Sequence, residues 1–298
     1  MIMKKIAEET IDQLISRADS YVSQNRWLHA IQIFDQILDI DETYLPAYYA
    51  VAEHYIGQRH LDSAENYLLD AHDVDPKDER TLFLLGNVSV IRNEPKKALE
   101  WYQKIDIKNN SSAELTYNMG LANMRLSQLQ EAVDYFLKAI EHDPFFPRIH
   151  EILAEAYIQL NQLKEASECV KEAIRQDPTS PHGYTLTGHV FIRRGLTRRA
   201  KESFESAIQL DAKNAQAFHG LGMTLLQMDE IDEGINKLEK AVELDPKNLP
   251  IRMDLSMSYI RSNRFSDALS QLKSAEQSFP KNQWIKNVIS RLRKNVLS

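Results

Sequence analysis

Several features that mark other classes of protein are scarce or missing in this 298-residue chain. Cys169 is the only cysteine, so no internal disulfide can form, which argues against the oxidising compartments where disulfides persist. No apolar run reaches the roughly 18 residues needed to cross a membrane. The opening residues, from Met1 to Ile6, lack the apolar centre of a signal peptide. These absences predict a cytoplasmic protein without membrane insertion.

An excess of positive charge is also missing. The chain has 36 basic and 43 acidic side chains, a formal net charge of −7, and both signs are interspersed. A broad phosphate-binding surface needs clustered positive charge. The balance therefore predicts that nucleic acid is not a partner.

Catalytic signatures are absent as well. The chain has no GxxxxGK phosphate loop, no GxSxG turn and no HExxH pair, although His150 and Glu151 begin the last of these. Cys169 has no activating motif around it, which favours an inert thiol over a nucleophile. We therefore predict a non-enzymatic protein with no catalytic residue, no cofactor and no metal site.

What the sequence does have is a period of 34 residues. Small residues occupy one position of this period: Ala18, Ala52, Gly86, Gly120, Ala154, Gly188, Gly222 and Ser256. A second series follows twelve residues later: Ala30, Ala64, Ala98, Ala132, Ala166, Ala200, Gly234 and Ala268. A two-helix unit repeated at fixed period predicts a solenoid, in which each repeat buries its apolar face only against its neighbours.

This pattern closely resembles the tetratricopeptide repeat (TPR) family. The resemblance implies an all-α, right-handed α-solenoid, the TPR superhelix, built of antiparallel helix pairs. The eight predicted repeats are 11–44, 45–78, 79–112, 113–146, 147–180, 181–214, 215–248 and 249–282. Residues 1–10 form an N-terminal extension. Residues 283–298 form a capping helix that covers the apolar face of the last repeat.

Breaks in the helical spacing predict where the helices end. The fifteenth position of each repeat suits a left-handed turn between its two helices: Asn25, Arg59, Asn93, Ser127, Asn161, Gly195, Asp229 and Asn263. Proline follows the second helix in five repeats, whereas Glu42, Asn110 and Ala212 replace it in the others, which predicts less sharp ends there. Ser89 and Asn123 replace aromatic or aliphatic residues, which predicts poorer packing or, alternatively, a polar contact.

The family resemblance implies that the first helix of each repeat lines a concave groove. Its aromatic residues would be Tyr49, Phe83 and Tyr117, and its amides Asn87 and Asn118. The C-terminal part of the groove would present His189, His219, Met223, Met253 and Met257. Thioether side chains suit a surface that accepts varied apolar partners.

Co-chaperone members of the family hold a terminal carboxylate with five residues of three repeats. In this chain Asn87, Asn118 and Arg148 match that pattern, with arginine in place of a lysine. Phe83 and Ile152 occupy the places of two further cations. The match therefore predicts a pair of asparagines that hold a peptide backbone, without the full carboxylate clamp.

Two clusters allow alternative interpretations. His182, His189 and His219 share equivalent helix faces and are interpreted as polar groove residues, with a metal site as the alternative. A basic cluster at the turn of repeat six is interpreted as a solvated rim, with an acidic partner or an anionic surface as the alternative. The cluster consists of Arg193, Arg194, Arg198, Arg199 and Lys201.

The favoured function is an adaptor or scaffold that captures an extended peptide or a helix of a partner protein in the groove. One alternative is a scaffold that self-associates through its ends or convex face. Another is a non-catalytic subunit of an enzyme complex. The identity of the partner is not encoded in any motif of the chain.

Overall fold

The computed structural model describes the backbone of residues 2–106 and 112–296, and the side chains of residues 10–106 and 112–293. These residues form an all-helical repeat solenoid of seventeen helices without a β-strand. The predicted fold class is therefore confirmed, while the right-handed superhelix stays a prediction. The chain divides into two compact units, 1–146 and 147–298, and each is described by itself.

Unit 1 contains four helix pairs. The first two pairs are α1 (Ile2–Ser23) with α2 (Trp27–Ile40) and α3 (Leu45–Gly57) with α4 (Leu61–Val74). The next two are α5 (Glu79–Ile91) with α6 (Pro95–Tyr102) and α7 (Ala113–Arg125) with α8 (Leu129–His142). The predicted extension is no separate segment, because α1 already begins at Ile2.

Unit 2 contains four further pairs and one last helix. The pairs are α9 (Ile149–Gln159) with α10 (Leu163–Gln176), α11 (Pro181–Arg193) with α12 (Thr197–Leu210), α13 (Ala215–Gln227) with α14 (Ile231–Leu244), and α15 (Leu249–Arg261) with α16 (Phe265–Ser278). The last helix is α17 (Gln283–Val296). In both units each helix packs chiefly against the next one in the chain, and first helices of neighbouring repeats also touch.

The two series of small residues allow the paired helices to approach closely, as predicted. All sixteen are buried, and a larger side chain of the second helix fills the space beside them. A Cβ added at Gly222 would lie 2.9 Å from the backbone oxygen of Gly234 and 2.8 Å from Leu238 Cγ. Because a backbone atom cannot move aside cheaply, this contact requires glycine.

The turns inside the repeats are left-handed, as predicted. All eight residues at the fifteenth position have positive φ, between 57° at Asn25 and 72° at Gly195. The amide of the next residue donates to a carbonyl five positions earlier in the chain, for example Arg26 N to Tyr21 O at 2.8 Å. This bond satisfies a carbonyl that the end of the helix would otherwise leave free.

The prediction that repeats without proline end less sharply is wrong for Glu42 and Ala212. Helices α2 and α12 end two residues before these positions, as α4 does before Pro76. The reason is an aspartate that follows the helix in each case. Asp41 Oδ1 accepts from Thr43 N at 3.0 Å, and Asp211 Oδ1 accepts from Lys213 N at 2.9 Å, so an Asx turn ends the repeat. Asn110 lies outside the described residues.

Repeat three departs from the others because α6 ends at Tyr102 and has 8 residues where the other second helices have 14. Ser89 and Asn123 do form polar contacts, but with their own helices. Ser89 Oγ donates to Leu85 O at 2.9 Å, and Asn123 Nδ2 donates to Met119 O at 2.8 Å. These bonds satisfy both buried side chains without a partner, which the sequence analysis did not foresee.

Helix α17 covers the last repeat. Ile285, Ile289 and Leu292 are buried in one cluster with residues of α14, α15 and α16, whereas Arg291 and Arg293 are exposed. This is the arrangement that a capping helix requires. In the described part of the chain, no helix combines the length and apolar character needed to cross a membrane.

Candidate functional site

Helices α3, α5 and α7 of unit 1 together form a cleft of about 480 Å³. Its apolar floor includes Phe83, and Ile56 and Ile91 lie at its edges. Asn87 and Asn118 provide the neutral polar groups. We call this surface the amide face, defined by Ile56, Phe83, Asn87, Ile91 and Asn118. Its residues come from consecutive first helices, which bring equivalent positions side by side.

The two asparagines are joined in a hydrogen-bonded cluster. Asn118 Nδ2 donates to Asn87 Oδ1 at 3.0 Å, and the hydroxyl of Tyr102 donates to the same oxygen at 2.7 Å. Burial, together with the charge of Glu114, raises the pKa of Tyr102, so this hydroxyl keeps its proton. The cluster fixes the orientation of the Asn87 amide.

This arrangement leaves hydrogen-bonding capacity on both amides. Within the described residues, Asn87 Nδ2 donates to no protein group and Asn118 Oδ1 accepts from none. One donor and one acceptor are therefore available on adjacent helices. A peptide backbone offers the complementary pair, a carbonyl and an N–H. Amides oriented in this way can bind a backbone without recognising its side chains.

Tyr49 does not belong to this face, and the prediction that it is available to a partner is wrong. Its side chain is only 6% exposed, and its hydroxyl donates to Asp78 Oδ2 at 2.5 Å. Burial and this hydrogen bond raise the pKa of Tyr49 to about 12. The guanidinium of Arg80 covers the ring at 4.6 Å while pairing with Glu53 at 2.7 Å. The ring therefore connects two repeats.

Phe83 and Tyr117 are both half-buried. The Phe83 ring lies 6.0 Å from that of Tyr102 and lines the cleft. The ring of Tyr117 lies 4.8 Å from that of Phe146 and 5.8 Å from that of Phe136. Tyr117 therefore packs against its own repeat and does not line the cleft with Asn118.

Arg148 belongs to unit 2 and precedes α9 in a left-handed conformation, with φ of 61°. Its Nε pairs with Glu151 Oε2 at 2.9 Å, and Glu151 also accepts from the hydroxyl of Ser180. Arg148 lines a cleft of about 350 Å³ with His150 and residues of repeat five. The structure thus gives Arg148 a carboxylate partner of its own.

Three histidines of unit 2 lie on the first helices α11 and α13, and we call them the histidine face (His182, His189 and His219). His182 Nε2 lies 2.7 Å from Glu155 Oε1, and His219 Nε2 lies 2.8 Å from Asp254 Oδ2. The His189 ring meets the Phe204 ring edge-on at 5.3 Å. No group of three His, Cys, Asp or Glu side chains suited to a metal ion occurs in the described residues.

Charge is unfavourable on His189. Burial, together with the neighbouring His219, His182 and Arg193, lowers the pKa of His189 to about 4 against the opposing effect of Glu155. Its imidazole is therefore neutral near pH 7. On the histidine face two of the three rings lie against carboxylates, whereas on the amide face the two amides bond to each other.

Met223, Met253 and Met257 are all half-buried. Met223 packs against the apolar cluster that also includes α17. The sequence analysis missed Tyr102, because a pattern of polarity does not show that a buried ring has its hydroxyl at the groove. It also missed Arg80, whose pairing with Glu53 closes one side of the cleft.

Two family models match the chain, and both describe the tetratricopeptide repeat. One matches residues 123–189 and 225–292, and the other matches residues 49–113 and 185–248. Together these segments extend over most of the repeat region. Among curated protein sequences no significant match was found.

Solved structures with the same fold include a tetratricopeptide repeat protein from Parabacteroides merdae, with a TM-score of 0.71 and 15% identity over 84% of this chain and 98% of that one. A chain of the APC/C hetero-tetramer Cut9–Hcn1 aligns with a TM-score of 0.65 and 16% identity. That alignment covers 94% of this chain and 55% of the other, so the present chain spans about half its length. YrrB, described as having an unusual peptide-binding site, aligns with a TM-score of 0.56 and 19% identity over 62% of this chain and 96% of YrrB.

Proposed function

The chain belongs to the tetratricopeptide repeat family, whose members act as protein-interaction scaffolds, and from this premise we propose that its amide face binds an extended peptide segment of a partner protein. The observation that supports this most strongly is the oriented pair of amides. Asn87 Nδ2 and Asn118 Oδ1 have no partner among the described residues, while Tyr102 holds the pair in place.

The surroundings of the amide pair favour an extended segment over a charged group. Phe83, Ile56 and Ile91 offer apolar area to partner side chains, and the cation nearest to them, Arg80, is already paired with Glu53. An alternating backbone presents its N–H and C=O groups to the amides and its side chains to the apolar edges. Affinity then comes from apolar burial, and the amides determine the register of the backbone.

The experiment begins with selection of peptides from a random library displayed against the full chain. Selected peptides are synthesised and titrated by calorimetry against the wild type, Asn118→Ala and Asn87→Asp. Asn87→Asp keeps the acceptor used by Tyr102 and Asn118 but removes the free donor. We expect each variant to weaken binding by about 1–2 kcal/mol, the usual effect of one lost hydrogen bond.

The control for this titration is the double substitution Met253→Ala with Met257→Ala, in unit 2. It removes apolar groove candidates without altering the amide face, so the selected peptides should keep their affinity. If instead the methionine variant loses binding and both asparagine variants retain it, the site lies in unit 2 and the proposal is wrong. Circular dichroism melting checks that each variant is folded.

Three further points stay predictions. A contribution of Arg148 to peptide binding would show as a loss of affinity for Arg148→Ala that shrinks with added salt. The absence of catalysis follows from the missing catalytic motifs and from the family, whose members are generally adaptors. A cytoplasmic location rests on the single cysteine and is tested by fractionation of cells that produce the full chain.

A further inference from the structure

A second cleft, of about 560 Å³, lies in unit 2 between α10 and α11. Val170, Ile174, Val190 and Phe191 form its apolar floor, with Phe191 and Ile174 half-buried. On α11 the lining residues Val190, Phe191 and Arg194 occupy a stripe that is far from His189 around the helix axis, at about 100° per residue. The cleft is therefore distinct from both the histidine face and the amide face.

The rim of this cleft is positively charged. Lys164, Lys171, Arg194 and Arg199 surround it, against the single carboxylate of Glu168. Glu168 pairs with Lys171 at 2.9 Å, which leaves three cations. Among the residues that the structure describes, the Arg194 side chain donates only to the neutral hydroxyl of Ser167, at 3.3 Å.

None of these three cations has a carboxylate partner within the described residues. Lys164, Arg194 and Arg199 are exposed, and the guanidinium of Arg199 lies 6.0 Å from the centre of the Phe191 ring. Phe191 thus lies under a cation, so a side chain that packs on this ring also approaches positive charge. The cleft combines an apolar floor with unneutralised cations at its edge.

The start of α12 adds to the positive potential. Its first turn contains Arg198 and Arg199 and no acidic residue, and its N-cap, Leu196, forms no side-chain cap. In α8, α10, α14 and α16 the first turn contains an acidic residue, which is the favourable sign at the positive end of a helix. In α12 two cations lie at that end. Their charges and the positive end of the helix both favour the binding of a carboxylate from a partner.

We propose that this cleft, defined by Lys164, Val190, Phe191, Arg194 and Arg199, binds an acidic segment of a partner protein through a bulky apolar side chain flanked by carboxylates. Apolar burial on the half-buried Ile174 and Phe191 provides affinity, and the cations select acidic flanks and speed association. A nucleic acid lacks the apolar side chain that this floor accommodates.

The probe is a fluorescein-labelled synthetic peptide with a central Phe-Leu pair and two Asp or Glu residues on each side. Its polarisation is titrated with the full chain at low and at physiological salt. We expect saturable binding that weakens with salt. A peptide with Asn and Gln in place of the acidic residues, and one with Ser in place of Phe-Leu, should each bind at least about tenfold more weakly.

The decisive variant is Arg194→Glu with Arg199→Glu. Its matched control is Arg291→Glu with Arg293→Glu, which makes the same change in net charge on exposed positions of α17. We expect the first variant to lose about tenfold or more in affinity and the second to bind as the wild type does. Equal loss in both variants would mean a general charge effect, and no loss in either would place the peptide elsewhere; both results overturn the proposal.

Three further outcomes complete the test. Competition by a single-stranded oligonucleotide but not by unlabelled peptide would assign the cleft to nucleic acid and overturn the proposal. Sedimentation that shows self-association of the wild type, abolished by Arg194→Glu with Arg199→Glu, would make a second copy the occupant and also overturn it. Asn118→Ala should leave probe binding unchanged, which separates this cleft from the proposed function of the amide face.

Discussion

The amide face of unit 1 and the histidine face of unit 2 both lie on first helices of the repeats but differ in the partners of their polar side chains. On the amide face, Asn87 and Asn118 bond to each other and retain one donor and one acceptor. On the histidine face, His182 and His219 each face a carboxylate of a neighbouring repeat. The position of a polar residue on a groove-lining helix therefore does not tell whether it can bind a partner. Its hydrogen bonds within the protein do.

The largest expected difference between the faces is their response to acid. His189 has a pKa of about 4 in the folded chain and about 6.5 when unfolded. Its contribution to stability is complete above pH 6.5 and is lost as the pH falls towards 4, because the unfolded chain binds a proton that the native chain does not. At about 1.4 kcal/mol per pKa unit, the loss reaches about 3 kcal/mol.

This is measured by urea unfolding of the wild type and His189→Gln between pH 4 and pH 7. The variant should lose less stability on acidification than the wild type does. The amide pair does not titrate in this range, so peptides held by it should bind with little change. Parallel pH profiles of the two proteins would show that His189 does not titrate as described.

The second prediction tests whether helix packing in unit 2 can be weakened without changing peptide binding at the amide face. Gly222→Ala places a Cβ 2.9 Å from the backbone oxygen of Gly234 and should destabilise the protein by roughly 1–3 kcal/mol. Gly57→Ala is the control, because its added Cβ meets nothing within 4 Å. Thermal unfolding gives the stabilities, and titration with a selected peptide should show unchanged affinity for the folded Gly222→Ala protein.

The third prediction concerns the support of the amide pair. Tyr102→Phe removes the hydroxyl that donates to Asn87 Oδ1. We expect peptide affinity to fall by about 0.5–1.5 kcal/mol, because the Asn87 amide is then held by Asn118 alone. Tyr135→Phe, a half-buried tyrosine of the same unit, is the control. Equal affinities for both variants would mean that the hydroxyl does not orient the amide.

The smallest expected effect concerns the left-handed turns, which both units share. Gly195→Ala puts a side chain at a φ of 72° and should cost about 1 kcal/mol, although its Cβ meets no atom within 4 Å. Asn263→Gly, at a φ of 61°, should cost little or stabilise slightly. Neither change should alter peptide affinity, and thermal unfolding with titration checks both.

The fold was largely predictable because its determinants are local and repeated. Each of the sixteen small residues and eight left-handed turns imposes a steric requirement, and the residue type at that position is enough to predict it. The ends of the repeats were attributed to proline, whereas aspartates such as Asp41 and Asp211 form the turn one residue earlier. An Asx turn depends on the orientation of the aspartate side chain, which the positions of prolines in the sequence do not reveal.

The candidate site was less predictable because it depends on contacts between residues that are far apart in the sequence. Tyr49 has the polarity and spacing of a groove residue, yet Asp78, 29 positions later, accepts its hydroxyl and draws it into the core. Asn87 and Asn118 were identified, but not their mutual hydrogen bond or Tyr102. These hydrogen-bond partners lie 15 to 31 positions apart, and packing determines which of them meet. The sequence pattern therefore predicts candidate residues, and the structure shows which of them are in contact.

The central claim, that the amide face holds a peptide backbone, is tested most directly by a double-mutant cycle between the backbone and Asn118. Esters replace successive amides of a selected peptide, so that one backbone N–H is removed at a time, and each analogue is titrated by calorimetry against the wild type and Asn118→Ala. The account predicts one position where the ester costs about 1 kcal/mol with the wild type and almost nothing with Asn118→Ala. The same loss for both proteins at every position would contradict it.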